Sequence, residues 1–218
     1  MASVPNKGIN KVSVSKSMSY ILRHGAEKEK INIDKEGFVL LDDMLRHALF
    51  KNVTVDTIID IVKTNDKQRF FLEKRPQDNR YYIRANQGHT LKQVDELELR
   101  KLEDPGEVPM VIHGTFKKHF DSILEKGLCK MERNMIHFAI GISNDVVSGI
   151  RTNSNMIIYI DLARAMKDGV EFFISTNNVV LTPGVDNSGV LPSKYFKKIT
   201  DRNNVAMWMR DVVMPQPK

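Results

Sequence analysis

Between Val94 and Pro109 the sequence becomes rich in Glu, Asp and Lys, contains Pro105-Gly106 and closes on a second proline. Such a stretch breaks both helical and strand periodicity, so it is expected to behave as a linker, with at most a helical start. It parts the 218-residue chain into two halves of different texture, each long enough for a small lobe. The expected organisation is a first lobe over residues 1–96, a linker over 97–109, a second lobe over 110–200 and a tail over 201–218.

In the first half, Val14, Met18, Ile21 and Leu22 recur at helical spacing and predict a helix from about Ser13 to His24. Arg23 and His24 then occupy its last turn, where a cation is favourable whatever else it does. A short helix over Leu41–Ala48 follows the entry Gly37-Phe38-Val39. A third, capped by Thr54 or Asp56, carries Ile58, Ile61 and Val62 on one face. Arg69–Lys74 and Tyr81–Ala85 flank the turn-forming Arg75-Pro76-Gln77-Asp78-Asn79-Arg80 and predict a hairpin. Three helices followed by a hairpin suggest a winged-helix lobe. Folds of that kind often bind nucleic acid, which is analogy and not evidence of function.

The second half reads differently. Met110–His113, Ile136–Ile140, Met156–Asp161, Val170–Ile174 and Val179–Leu181 are expected strands. Phe116–Lys126, stopped by Gly127, and Leu162–Lys167 are expected helices. Many short strands with few helices predict a small α+β lobe, not a doubly wound parallel sheet.

Composition excludes more than it assigns. Hydrophobic residues at 41% and charged residues at 28% describe a folded chain. Thirty-three basic residues against 27 acidic leave +6, an excess that permits a nucleic-acid partner without requiring one. Cys129 is the only cysteine, which rules out an internal disulfide and a cysteine-based zinc site. The polar start, Met1 to Ser17, lacks the apolar core of a signal peptide, and no apolar run approaches the ~20 residues of a membrane span. A cytoplasmic or nuclear location follows as an expectation, with no membrane and no obligate protein partner evident. No Gly-x-Gly-x-x-Gly turn, phosphate-binding loop or His-Glu-x-x-His helix occurs, and no metal site is expected.

What remains is a set of planar cationic and polar groups beside apolar segments able to hold them still. Arg23-His24, the run Asn65 to Phe70 with Lys67 and Arg69, and the run Ile83 to His89 with Arg84 and Asn86 have this character. An arginine fork matches phosphate oxygens, and a histidine adds a donor whose charge changes near neutral pH. A site gathered from these pieces would bind a phosphate. The second half adds His113-Gly114-Thr115 at a strand end, where Gly114 would let a ligand approach the backbone. Arg133 and His137, four apart across a strand start, are expected on one face. Ser148-Gly149-Ile150-Arg151 and Ser175-Thr176-Asn177 add two polar turns. Taken singly each is more often structural: His137 as a hydrogen-bonded core residue, Arg151 as a solvated charge.

Taken together, and in order, these segments resemble the NAD-dependent RNA (tRNA) 2′-phosphotransferase family. The resemblance rests on Ser15-Lys16-Ser17-Met18-Ser19 leading to Leu22-Arg23-His24, then Gly37-Phe38-Val39, Lys67-Gln68-Arg69-Phe70 and Arg84-Ala85-Asn86-Gln87-Gly88-His89. It continues through His113-Gly114-Thr115, Gly127-Leu128, Met131-x-Arg133, Ser148-Gly149-x-Arg151 and Phe172-Phe173-x-Ser175, so it covers Ser15 to Ile199. One departure stands out: the family usually carries His-x-His where this chain has Met135-Ile136-His137.

The resemblance implies a winged-helix lobe followed by an ADP-ribosyltransferase-like lobe that binds NAD. It implies removal of the internal 2′-phosphate left at a splice junction, with spliced tRNA as the expected RNA. The RNA phosphate attacks C1″ of the NAD ribose and expels nicotinamide; the ribose 2″-hydroxyl then attacks phosphorus. Dephosphorylated RNA and ADP-ribose 1″,2″-cyclic phosphate result. By resemblance, Arg23, His24, Arg69 and Arg133 serve the RNA phosphate and the transesterification. His113, Gly114, Thr115, His137, Ser148, Gly149, Arg151, Ser175 and Asn177 line the NAD side, and Lys67, Arg84, Asn86 and His89 serve the RNA substrate. Two other classes stay open at this stage. One is a catalytically weak RNA-binding module, against which retention of all four Arg/His candidates argues. The other is a nucleic-acid phosphate ADP-ribosyltransferase arrested after the first step.

Overall fold

The computed structural model describes residues 10–95, 97–141 and 153–211, with helices and strands mixed throughout. The chain divides into two compact units, Met1–Glu98 and Leu99–Lys218. No helix among the described residues is long and apolar enough to cross a membrane.

In the first unit, helix α1 spans Lys11–Tyr20 and is capped by Asn10, whose side chain accepts from Val12 and Ser13. The Val14, Met18, Ile21, Leu22 stripe is buried as its spacing requires. The expected helix does not stay α-helical to His24, however. Ile21–Gly25 forms a π-helical turn, closed by Ala26 N donating to Ile21 O at 3.0 Å. Helix α2 (Leu41–Arg46) follows, then α3 (Val55–Thr64), which Thr54 caps by accepting from Thr57. Loss of such a cap costs about 1 kcal/mol.

Strands β1 (Val39–Leu40), β2 (Phe70–Arg75) and β3 (Arg80–Ala85) make an antiparallel sheet in the order β1-β3-β2. Alternation sends Phe70, Ile83 and Ala85 into a core with Met18, Leu22, Leu41, Met44 and Ile58. Phe71, Glu73, Arg75, Tyr82 and Arg84 take the other face.

The second unit is built on an eight-stranded sheet. Its strands are β4 (Leu99–Lys101), β5 (Val111–Thr115), β7 (Ile136–Ile140), β8 (Met156–Ile160), β9 (Phe173–Ser175), β10 (Val180–Thr182), β12 (Phe196–Asp201) and β13 (Ala206–Met209). The order is β13-β12-β8-β5-β7-β10-β9-β4, antiparallel at every pairing. Strands β6 (Leu128–Cys129) and β11 (Val190–Leu191) pair separately. Helices α4 (Phe120–Lys126) and α5 (Leu162–Lys167) complete the unit. Phe138, Ile158, Phe172, Tyr195 and Phe196 centre its core, while Ile112, Ala139, Ile157 and Tyr159 form a smaller cluster.

Three expectations change here. The acidic stretch around residue 100, expected as a linker with at most a helical start, holds regular structure. Leu99–Lys101 is an edge strand, and Asp104 and Glu107 form a capping box around the 3₁₀ turn Pro105–Glu107, so the acidic residues satisfy backbone donors. Nor is the stretch after Asp201 a plain tail. Strand β13 pairs with β12, and Arg210 donates to Asp161 at 2.6 Å and to the Phe196 carbonyl. Finally, β5 runs on through Thr115, two residues past the expected Met110–His113, so His113-Gly114-Thr115 is itself the strand's end.

Candidate functional site

The first unit gathers its cationic candidates around the segment Asn86–Thr90, which leaves the end of β3. Thr90 N donates to the Arg23 carbonyl at 2.9 Å, and Thr90 Oγ1 lies 3.3 Å from that carbonyl and 3.0 Å from His24 Nδ1. A carbonyl can only accept, so the threonine hydrogen points to Arg23 O and its lone pair takes a hydrogen from His24 Nδ1. In the neutral ring that leaves Nε2 unprotonated, the atom able to exchange a proton with a ligand. The π-helical turn sets this up: it keeps Ile21 and Leu22 in the core while His24 stays exposed.

Arg23 runs against Gly88. A Cβ added there would lie 3.5 Å from Arg23 Nε and 3.6 Å from Cζ, and Gly88 has φ +90°, so glycine serves both the turn and the approach. Arg69 reaches the same segment from the start of β2. Asn86 N donates to its carbonyl at 2.9 Å, and Asn86 Nδ2 donates to the Gln68 carbonyl at 2.6 Å. Asn65 Oδ1 accepts from both Arg69 N and Arg69 Nη1. The amide is neutral, so the fork is aimed without its charge being cancelled. Lys67 lies in the same turn, whose Gln68 has φ +42°.

His89 and Arg84 take supporting positions. His89 is 1% exposed, with its ring against Gly37, where an added Cβ would come within 3.1 Å of Nε2. Neither ring nitrogen has a hydrogen-bond partner among the described residues. Arg84 is buried under Phe38 and Phe71, 4.8 and 5.2 Å from their ring centres, and donates to Glu98 at 2.6 Å. Burial and the nearby charges of Arg23, His24 and Arg84 push the His89 imidazole down to about 3.

That depression makes a prediction about stability. Between about 3 and the ordinary 6.5 the unfolded chain binds a proton at His89 that the folded chain does not, so stability falls as pH falls through this window. From pH 7 to pH 5 the His89 contribution to the loss is roughly 2 kcal/mol. Urea titrations of His89→Gln should show a correspondingly flatter dependence. Parallel curves for the two proteins would refute the assignment.

The second unit places its candidates around an opening in the sheet. Strand β5 pairs with β7 only at Val111↔Ile140 and Ile112↔Ala139, then continues to Thr115 paired with β8. Across the opening His113 Nδ1 donates to the His137 carbonyl at 2.8 Å, and His137 Nδ1 donates to the Met135 carbonyl at 2.9 Å. Each contact is to a carbonyl, so in each neutral ring Nδ1 carries the hydrogen and Nε2 is the acceptor. Position 135 enters through its backbone oxygen, which methionine supplies as well as histidine.

Arg133 sits in the turn before β7, outside the strand, so strand alternation does not put it on the face of His137 as expected. Its N–H closes that turn on Lys130 O at 3.2 Å. Ser175 and Asn177 are buried and shape the β9–β10 turn: Ser175 Oγ donates to Asn177 Oδ1 at 2.8 Å and accepts from Val179 N at 3.1 Å. Ser148, Gly149 and Arg151 lie outside the described residues.

Asn65 and Gln68 were named from the sequence only as parts of the run Asn65 to Phe70, with no role of their own, and Thr90 was not singled out. The four-residue spacing of Asn65 to Arg69 was the only local signal; Thr90 reaches His24 across 66 positions.

A family model described as RNA 2'-phosphotransferase, Tpt1 / KptA family, matches residues 10–184. The chain is 44% identical over 197 residues to a Danio rerio protein named tRNA 2'-phosphotransferase 1, covering 88% of this chain and 87% of that one. It is 36% identical over 215 residues to the Saccharomyces cerevisiae tRNA 2'-phosphotransferase, covering 94% and 90%. A Rhizobium leguminosarum protein named probable RNA 2'-phosphotransferase is 38% identical over 174 residues, covering 79% and 89%.

Proposed function

The chain belongs to the RNA 2'-phosphotransferase family, and from that premise we propose that it removes the internal 2′-phosphate of spliced tRNA by transferring it to NAD. In this reading the first unit is a winged-helix lobe and the second an ADP-ribosyltransferase-like lobe. The observation that carries it is the gathering of Arg23, His24 and Arg69 on the Asn86–Thr90 segment. A phosphomonoester bears about −1.5 to −2 charges near neutral pH, so as a nucleophile it needs orientation more than deprotonation. Fixed guanidinium forks provide that orientation and are worth most where charge builds on phosphoryl oxygens.

The second unit's residues suit a dinucleotide. His113 Nε2 is an acceptor suited to a ribose hydroxyl hydrogen, the buried His137 ring fixes the start of β7 through the Met135 carbonyl, and the opening between β5 and β7 gives a flat ligand an edge of backbone. NAD supplies the electrophilic ribose carbon and the nicotinamide leaving group. In the first unit Arg69 holds phosphate oxygens, Arg23 completes the charge balance, and His24 moves a proton at Nε2; Arg133 of the second unit keeps the phosphate role the resemblance implies. Ser175 and Asn177 act by fixing the β9–β10 turn. Asn86 and His89 act from behind, Asn86 holding Arg69 and His89 buried against Gly37.

The test is incubation of the protein with a short RNA bearing one internal 2′-phosphate, with and without NAD. NAD-dependent loss of the phosphate, with nicotinamide and ADP-ribose 1″,2″-cyclic phosphate appearing, is the expected result. An RNA that keeps its phosphate would refute the reading, and nicotinamide release without phosphate loss would restrict the chain to the first step.

A further inference from the structure

Among the described residues, ten non-glycine positions have positive φ, and seven of them are Asn or Asp, which tolerate it. The other three are Lys30, Gln68 and Met131. Gln68 directly precedes Arg69, and Met131 lies two residues before Arg133. Backbone conformations of this kind persist where the surroundings over-determine them, and they cluster at functional sites.

Met131 is the most exposed large hydrophobic residue among those described, at 80%, and has φ +57°. It occupies the first central position of the turn closed by Arg133 N and Lys130 O, and Glu132 after it does not share the positive φ. Glycine is the residue that turn position favours. The turn is pinned from outside as well, since Lys130 N donates to Gly189 O at 2.8 Å. An apolar side chain is therefore held at a backbone position that suits glycine, beside a phosphate arginine and with little packing in return.

Resting on the function proposed above, we infer that Met131 is a substrate-contact residue whose thioether lies against the nucleobase flanking the 2′-phosphate. A 2′-phosphate is borne on the sugar that carries its own nucleobase, so a flat π-face accompanies any such phosphate held by Arg133, and sulfur packs favourably on aromatic rings. Such contact tolerates any base, because every base has a π-face.

The test compares wild type, Met131→Gly and Met131→Leu. Anisotropy without NAD would measure binding to 2′-phosphorylated RNA carrying either a base or an abasic site next to the phosphate. For the base-bearing RNA, Met131→Gly should bind about 3–10-fold more weakly, with Met131→Leu near wild type. All three should bind the abasic RNA alike, and Met131→Gly should melt no lower than wild type. Equal binding of base-bearing RNA by wild type and Met131→Gly overturns the inference. So does a lower melting point for Met131→Gly, which would make the side chain structural, or a change confined to KM for NAD, which would place it on the dinucleotide. A wild type that binds with the expected pattern but never releases phosphate refutes the proposed function while leaving the contact in place.

Discussion

Arg69→Lys is expected to lose nearly as much turnover as Arg69→Ala, each falling roughly 10³-fold with little change in melting temperature. The reason is in how the side chain is held. Asn65 Oδ1 takes one Nη1 hydrogen and the Arg69 backbone N–H, while Asn86 closes on the Arg69 carbonyl from the other side. Both anchors are neutral, so the planar fork arrives aimed and still fully charged. A lysine ammonium keeps the charge but has neither the plane nor the second donor branch to bridge two phosphoryl oxygens. No ion pair among the described residues includes Arg69, so removing it leaves no carboxylate unpaired. Stopped-flow or quenched-flow turnover beside thermal melts would check this. Arg69→Lys within tenfold of wild type would remove Arg69 from the phosphate.

The helices and the hairpin of the first unit were legible because burial there follows simple periods. Val14, Met18, Ile21 and Leu22 read as one stripe, and Phe70, Leu72, Ile83 and Ala85 as one pleated face shared by two strands. The same regularity hid the π-helical turn, since a stripe at residues 14, 18, 21 and 22 is what an uninterrupted α-helix would show. What revealed it was the backbone closure of Ala26 N on Ile21 O, five residues back, a bond that side-chain spacing does not report.

In the second unit β5, β7, β8, β9 and β10 were legible from their apolar runs, whereas β6, β11, β12 and β13 were not. Two-residue strands carry no period, and β13 is held by cross-strand partners and by Arg210, not by an apolar alternation of its own. The acidic stretch misled for a related reason. Asp, Glu, Pro and Gly are as much the chemistry of a capping box as of a linker, and only the hydrogen bonds distinguish the two. Site residues followed the same division: Arg23, His24 and Arg69 were visible as residue types, while Asn65, Thr90 and the opening beyond Ile112 exist only in the folded chain.

Gly127→Ala should be the most damaging small change in the second unit, lowering stability by about 3 kcal/mol and the melting temperature by roughly 10 °C. From the sequence Gly127 is simply the stop of a helix. In the fold it has φ +83°, and an added Cβ would stand 2.4 Å from the Leu191 carbonyl oxygen and 2.9 Å from Pro192 Cα. Those are backbone atoms, so no side chain can rotate away, and β6 must separate from β11. The Leu128↔Leu191 and Cys129↔Val190 pairs would loosen, and with them the Lys130 N to Gly189 O bond that pins the turn carrying Arg133. Turnover should therefore fall further than the folded fraction does when both are measured well below the melting point. Gly184, φ +86° and within 2.6 Å of Val190 backbone atoms, supplies the comparison at the far end of the same pair. Gly184→Ala should destabilise similarly but act on Arg133 only through β11. If Gly127→Ala instead kept wild-type turnover per folded molecule, the placement of Arg133 would not depend on this strand pair, and its route to the phosphate would have to be sought in β7 alone.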